Sequence, residues 1–253
     1  MPDLDGRTAI VTGASSGIGA ATARALAGEG ARLAIGARRV ERVEELARTL
    51  GGDHVVAPLD VTDDASSSAF VEQVVSELGR VDILVNNAGL ALGRGPIANG
   101  SDDDDRTMVE VNVLGLVRMT RLVLPHMEDG RGHIVNLGSW AGHETYSGGG
   151  LYVGTKTAVR ALTEVMRKEL VGRIKVSTID PGMVGDTEFS DVRFRGDQDA
   201  KASVYRGVDY MTPEDVADCI RWIVTRPDNW VVDEMIVKPL AQASQDAIVR
   251  REG

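Results

Sequence analysis

Tyr152 and Lys156, in the run Tyr152-Val153-Gly154-Thr155-Lys156, stand four residues apart and so share one face of any helix that carries them. A phenol and an ammonium so placed can exchange a proton with a bound alcohol. To work near neutrality the phenol, with its ordinary pKa near 10, needs roughly 4 kcal/mol of differential stabilisation. One cation about 4 Å away at intermediate dielectric supplies about that much. A helix with an amphipathic Tyr and a solvated Lys has the same spacing, so the pair takes its meaning from its surroundings. Ser139, thirteen residues before Tyr152, closes a β-branched run. Its hydroxyl is either an ordinary turn group or a donor to a substrate oxygen on which charge develops.

A second group of residues has the chemistry of anion binding. In Thr12-Gly13-Ala14-Ser15-Ser16-Gly17-Ile18-Gly19 the glycines permit a tight turn and close backbone approach to a pyrophosphate, and the helix that follows presents free N–H groups. An ordinary strand-to-helix loop is the plain alternative. At the end of the second strand, where a carboxylate would accept from a free ribose 2′-hydroxyl, the residue is Ala37, followed by Arg38 and Arg39. Guanidinium groups there fork onto a 2′-phosphate, which points to NADP(H) as cofactor. The alternative is that both arginines belong to the solvated face of the charged helix over residues 41–48.

The elements that position these groups follow from the hydrophobic pattern. Short β-branched runs at residues 7–12, 32–36, 54–58, 82–85, 133–137 and 175–179 alternate with helical segments, beginning with residues 17–28 and a Glu- and Arg-rich helix ending at Leu50. This predicts a doubly wound, Rossmann-type parallel sheet in a three-layer α/β/α sandwich, because each parallel neighbour needs a right-handed helical crossover. One domain over residues 1–253 is expected. Ser101-Asp102-Asp103-Asp104-Asp105 reads as a capped, acidic helix start and not as a calcium site. Residues 183–211 lack a clear period, as lids often do. Thr212-Pro213-Glu214-Asp215 starts a helix, and residues 231–237 form a last strand.

Composition narrows the classes further. The 253 residues are 43% hydrophobic and 26% charged, an ordinary globular balance, and the net charge of −10 opposes nucleic acid and anionic membranes as partners. Cys219 is the sole cysteine, so no intrachain disulfide forms and no Cys/His spacing of a structural zinc is present. No metal-ligand cluster is legible. The start, Met1-Pro2-Asp3-Leu4-Asp5, lacks the features of a signal peptide, and no stretch is long and apolar enough to span a bilayer; a cytoplasmic location is expected.

Taken together, T-G-x-x-x-G-x-G at Thr12–Gly19, Asn86-Asn87-Ala88-Gly89, Ser139 and Tyr152-x-x-x-Lys156 resemble the short-chain dehydrogenase/reductase family over nearly the whole chain. The resemblance implies that Gly13, Ser15, Ser16, Gly17, Ile18 and Gly19 receive the pyrophosphate side of the cofactor. It implies that Asp60 and Val61 touch adenine, and that Asn87, Ala88 and Gly89 support the adenosine ribose. Pro181, Gly182, Val184 and Thr187 would hold the nicotinamide carboxamide. Ser139, Tyr152 and Lys156 would be catalytic, and Asn112, in Val111-Asn112-Val113, would orient a water behind Lys156. The plain reading of Asn112 is a helix-interior amide tied to nearby backbone. Direct hydride transfer without a metal and assembly as a homotetramer are also implied by the resemblance.

Residues 185–197, Asn86 to Gly93 and Thr212 to Val216 further resemble NADP-dependent 3-hydroxy acid dehydrogenases, a group that includes serine and L-allo-threonine dehydrogenases and malonic semialdehyde reductases. A short hydroxy acid needs a cation for its carboxylate, and Arg193 is the candidate clamp beside Ser139 and Tyr152. Its alternative is a surface pairing with Asp191 or Asp197. Asp186 stands where related lids often carry Gly, and a carboxylate facing the substrate there would repel an acid. Two other readings stay open: a broader aldehyde or ketone reductase of a secondary-metabolite or sulfonate pathway, and a non-catalytic dinucleotide sensor.

Overall fold

Strands of an all-parallel sheet are covered on both faces and must be apolar throughout. Thr8–Thr12 (β1) meets this with five buried residues, and Arg32–Ala37 (β2) with five of six. In this computed structural model, which describes residues 4–251, the sheet is completed by Val55–Pro58 (β3), Ile83–Asn86 (β4), His133–Leu137 (β5), Lys175–Pro181 (β6) and Glu234–Val237 (β7). The part of the amino-terminal reading at residues 1–3 lies outside the described residues.

All pairings are parallel and the order is β3-β2-β1-β4-β5-β6-β7. The order reverses between β1 and β4, so the carboxyl ends of these two strands open a crevice. Each expected strand forms, with ends displaced by one or two residues. The last is shorter than expected, Glu234–Val237, because β7 is an edge strand whose residues alternate between exposed and half-buried.

Helices cover both faces. On one side Gly17–Gly28 (α1), Val40–Leu50 (α2) and Pro213–Val224 (α9) pack a core built on Leu26, Leu46, Ile220 and Ile223. On the other, Asp64–Leu78 (α3), Leu116–Val123 (α5) and Gly150–Glu169 (α6) enclose Phe70, Met119 and Val123. Asp102–Val109 (α4) runs into α5 through a π-helical segment, Glu110–Gly115, that carries Asn112. The acidic run does start α4, although the Ser101 side chain makes no cap bond. At Thr212 the cap is complete: its hydroxyl accepts from Asp215 N while Asp215 accepts from Thr212 N at 2.7 Å. The stretch without a period holds two short helices, Phe189–Arg193 (α7) and Gln198–Tyr205 (α8), too brief to declare themselves in sequence. No helix among the described residues is long and apolar enough to cross a membrane.

Candidate active site

One cleft of about 840 Å³ runs along the carboxyl edge of the sheet. Gly13 to Gly19, Arg38, Arg39, Asp60, Val61 and Asn87 to Gly89 line it at one end; Ser139, Tyr152, Lys156, Pro181 to Val184, Thr187 and Arg193 line it at the other, Ala14 alone of the turn being turned away. The floor at the first end requires glycine. A Cβ on Gly13 would lie 2.9 Å from Ala88 Cα, and one on Gly19 2.4 Å from Asn87 Nδ2. The turn is tied to β4 through Thr12 Oγ1, which accepts from Asn87 N at 3.0 Å and Ala88 N at 2.9 Å. Ser16 precedes α1 with extended backbone and makes no side-chain cap, so the helix's first N–H groups face the cleft. A long, kinked anion such as a dinucleotide fits this floor.

Arg38 is exposed at the rim. Arg39 reaches inward, its Nη2 donating to Ser15 Oγ at 3.1 Å, Ser16 Oγ at 3.3 Å and Glu188 Oε2 at 2.6 Å. Arg39 and Arg42 together hold the Glu188 carboxyl at about 2. Burial alone would raise the Asp60 carboxyl, but Thr62 N–H and hydroxyl donors, with Arg38 and Arg118, leave it below the usual range.

At the other end Tyr152 and Lys156 do share one face of α6, both buried. Lys156 Nζ donates to Leu137 O at 2.8 Å, and burial holds its pKa down to about 8 against the pull of Asp180. Burial pushes the Tyr152 phenol up to about 12, and the groups that offset it are the Ser139 hydroxyl and the Arg193 guanidinium. Burial at this position thus favours the neutral phenol. Ser139 is seated twice over: its N–H donates to Asp180 Oδ1 at 3.0 Å, and its Oγ accepts from Ala141 N at 3.1 Å.

Asn112 is not tied to its own helix. Its Oδ1 accepts from Leu90 N and its Nδ2 donates to Leu90 O, both at 2.8 Å, which pins the segment after Gly89. A Cβ on Gly89 would sit 3.3 Å from Asn112 Oδ1 and 3.6 Å from Lys156 Nζ, so these three residues converge.

Arg193 is turned inward. Nε donates to Gly93 O at 3.1 Å, Nη2 to Tyr146 Oη at 2.9 Å, and the guanidinium lies 5.4 Å from the Tyr152 ring centre. Neither expected surface partner engages it: Asp191 pairs with Lys201, and Asp197 caps α8. Asp186 adopts φ 52°, which explains a preference for Gly there, and its carboxylate accepts from Tyr210 Oη at 3.2 Å, outside the cleft lining. Asp186 thus stands behind the lining residues and does not face the cleft directly.

Residues that sequence reasoning passed over also line the cleft. Tyr146 carries two guanidinium groups, Arg94 and Arg193, each 5.8 Å from its ring centre. Phe189 meets Tyr152 edge-on at 5.6 Å, and Gln242 Oε1 accepts from Met183 N at 2.8 Å. No single spacing links Tyr146, Arg94, Phe189 and Gln242, since each arrives from a separate segment of the chain. His143, Asp180 and Glu234 also bring ligand atoms within 4.8 Å of one another, a grouping that no sequence spacing displays.

The short chain dehydrogenase family model matches residues 7–197. An NADP-dependent 3-hydroxy acid dehydrogenase of Schizosaccharomyces pombe is 41% identical, with 100% of both chains covered. One of Escherichia coli (strain K12) is 40% identical over 96% of this chain and 99% of its own. A solved serine dehydrogenase, in a closed form complexed with NADP+, superposes with a TM-score of 0.91 at 39% identity, covering 97% of this chain and 100% of that one.

Proposed function

The chain belongs to the short chain dehydrogenase family, and from that premise we propose that it transfers hydride between NADP(H) and the carbinol carbon of a small 3-hydroxy acid. The observation that carries this reading is the meeting of Ser139, Tyr152 and Lys156 with the Arg193 guanidinium on one wall of a cleft whose far end holds Arg38, Arg39 and the glycine turn. Relatives named NADP-dependent 3-hydroxy acid dehydrogenases support the cofactor and the substrate class.

The glycine turn and the α1 N-terminus hold the pyrophosphate, Arg38, Arg39 and Ser15 the 2′-phosphate, and Asp60 and Val61 the adenine. Asn87, Ala88 and Gly89 face the ribose, while Pro181, Gly182, Val184 and Thr187 orient the nicotinamide. When bound, NADP(H) supplies or accepts the hydride, and its oxidised ring adds the positive charge that the phenol lacks in the resting site. Tyr152 takes the alcohol proton during oxidation and returns it during reduction. Ser139 donates to the substrate oxygen as charge grows on it. Lys156 and Asn112 pass the proton outward, and Arg193 grips the carboxylate. Residues 183–211 act as a lid within a single domain of 1–253, and by resemblance the enzyme is a cytoplasmic homotetramer.

Rates with serine, allo-threonine, 3-hydroxypropionate and simple alcohols, each measured with NADP+ and NAD+, test the assignment. The acids with NADP+ should lead by at least tenfold in kcat/KM; a lead by uncharged alcohols favours the broader reductase. Tyr152→Phe should abolish turnover and spare NADPH binding by fluorescence titration. Unchanged turnover in that variant removes the mechanism.

A further inference from the structure

Behind the catalytic loop, on the side of the sheet edge away from the glycine turn, three buried polar atoms without a well-formed hydrogen bond lie together: His143 Nε2, Asp180 Oδ2 and Thr178 Oγ1. Buried polar atoms are nearly always well paired, and these three meet only one another, His143 and Thr178 both turning to the Asp180 carboxylate, which leaves room for a water or an ion among them. Asp180 and Thr178 project from the same face of β6. The Asp180 side chain is 1% exposed and that of His143 10%, while Glu234 on β7 closes the group from the rim.

The spacing selects the ligand. His143 Nε2 lies 3.4 Å from Asp180 Oδ2 and 3.5 Å from Glu234 Oε1. These two separations match those of donors bound tetrahedrally to an ion at ~2.0–2.2 Å, about 3.3–3.6 Å, and all three ligand atoms lie within 4.8 Å of one another. Two carboxylates and one imidazole also leave a local negative charge. Lys156, on which Asp180 pulls, spends its hydrogen bond on Leu137 O, and Lys238 donates to Ala243 O and lies 4.0 Å over the Trp140 ring. We propose that His143, Asp180 and Glu234 bind one divalent transition-metal ion of the zinc class, with a water or the Thr178 hydroxyl completing its shell.

Mixed nitrogen and oxygen ligands in tetrahedral array suit zinc better than magnesium, which demands octahedral oxygen. The site is structural in character. His143 follows Ser139 on the same loop, Asp180 Oδ1 takes the Ser139 N–H, and Glu234 belongs to β7, so one ion would fasten the catalytic loop to two strands. It requires nothing of the hydride chemistry and stands or falls separately from it.

Calorimetric titration of the chelator-treated full chain with ZnCl2 and MgCl2 tests the site, with thermal unfolding alongside. One Zn2+ per chain should bind at least 100-fold more tightly than Mg2+ and raise Tm. Glu234→Gln and His143→Gln, chosen because Asp180 is too buried to replace safely, should each weaken Zn2+ by tenfold or more and remove the Tm rise. Crystals soaked in zinc should show an anomalous peak bonded to all three side chains. Absence of saturable binding, equal binding by both variants, or a peak placed elsewhere overturns the proposal, as does a crystal in which His143 and Asp180 share only a proton and a water.

Discussion

A buried lysine that spends its hydrogen bond on a strand carbonyl exacts a cost in stability that depends on pH. Lys156 titrates at about 8 in the folded chain against an ordinary 10.5, because burial disfavours the ammonium more than Asp180 favours it. Between these values the unfolded chain holds the extra proton, so stability rises with pH across that window and is level above it. Lys156→Met removes the term. Its stability relative to the parent chain in urea should therefore decline by about 3 kcal/mol from about pH 7 to about pH 10.5; a difference that stays flat would mean that Lys156 titrates normally. Tyr152 acts in the opposite sense and at higher pH, its neutral form being held by the fold from about 10 to about 12. Arg193 offers a second residue-scale test. Its two donors to Gly93 O and Tyr146 Oη fix the guanidinium over the Tyr152 ring, and no carboxylate among the described residues pairs with it. A charged hydrogen bond is worth about 1.5–3 kcal/mol, so Arg193→Ala should raise KM for 3-hydroxy acids by roughly 10- to 100-fold. Uncharged alcohols should change by less than about threefold; equal effects on both would remove the clamp.

Elements carry these residues to the cleft, and their own stability is separable from chemistry. The α9 cap shows this well. Thr212 and Asp215 bond reciprocally, far from Tyr152 in sequence and on the opposite face of the sheet from α6, while the buried face of α9 joins the same core as α1. Thr212→Ala should lower stability by about 1 kcal/mol, seen as a Tm lower by roughly 2–4 °C, and leave kcat/KM for the hydroxy acid unchanged. A fall in kcat/KM would show that the cap reaches the glycine turn through α1. This cap was legible because Thr-Pro-Glu-Asp places each group where a helix start needs it. The strands were legible for a similar reason, since a sheet buried on both faces writes uninterrupted β-branched runs. The π-helical segment at Glu110–Gly115 was not, because its turn differs by one residue and its apolar pattern remains helical. The two short helices Phe189–Arg193 and Gln198–Tyr205 escaped notice for want of length. At the site, the shared helix face of Tyr152 and Lys156 was legible from spacing, while the roles expected of these two and of Ser139 came from the family resemblance. Tyr146, Arg94 and Asp180 were not, because their meeting depends on loops and on the neighbouring strand, which no local period records.

Charge acts on the scale of the whole molecule, and here two scales of it conflict. The chain carries −10 overall, yet the cleft is lined by Arg38, Arg39, Arg94, Lys156, Arg193 and Arg250 against only Asp60 and Glu188. A distant anion meets the net negative field, and a near one meets the arginines. Which of them wins depends on the screening length. At about 0.01 M salt it is roughly 30 Å, comparable with the molecule, and the overall charge repels NADPH. At about 0.1 M it shortens to about 10 Å, which removes the far repulsion and leaves the cleft's cations within reach. Near 1 M, at about 3 Å, these too are screened. The KM for NADPH should thus pass through a minimum near 0.1 M salt, falling severalfold from the lowest concentration and rising again at the highest. NADH, lacking the phosphate proposed to face Arg38 and Arg39, should show a shallower curve. Initial rates across a potassium chloride series would decide it: a monotonic rise from the lowest salt would mean that the net charge is not felt at the cleft, and identical curves for both cofactors would remove the two arginines from the 2′-phosphate.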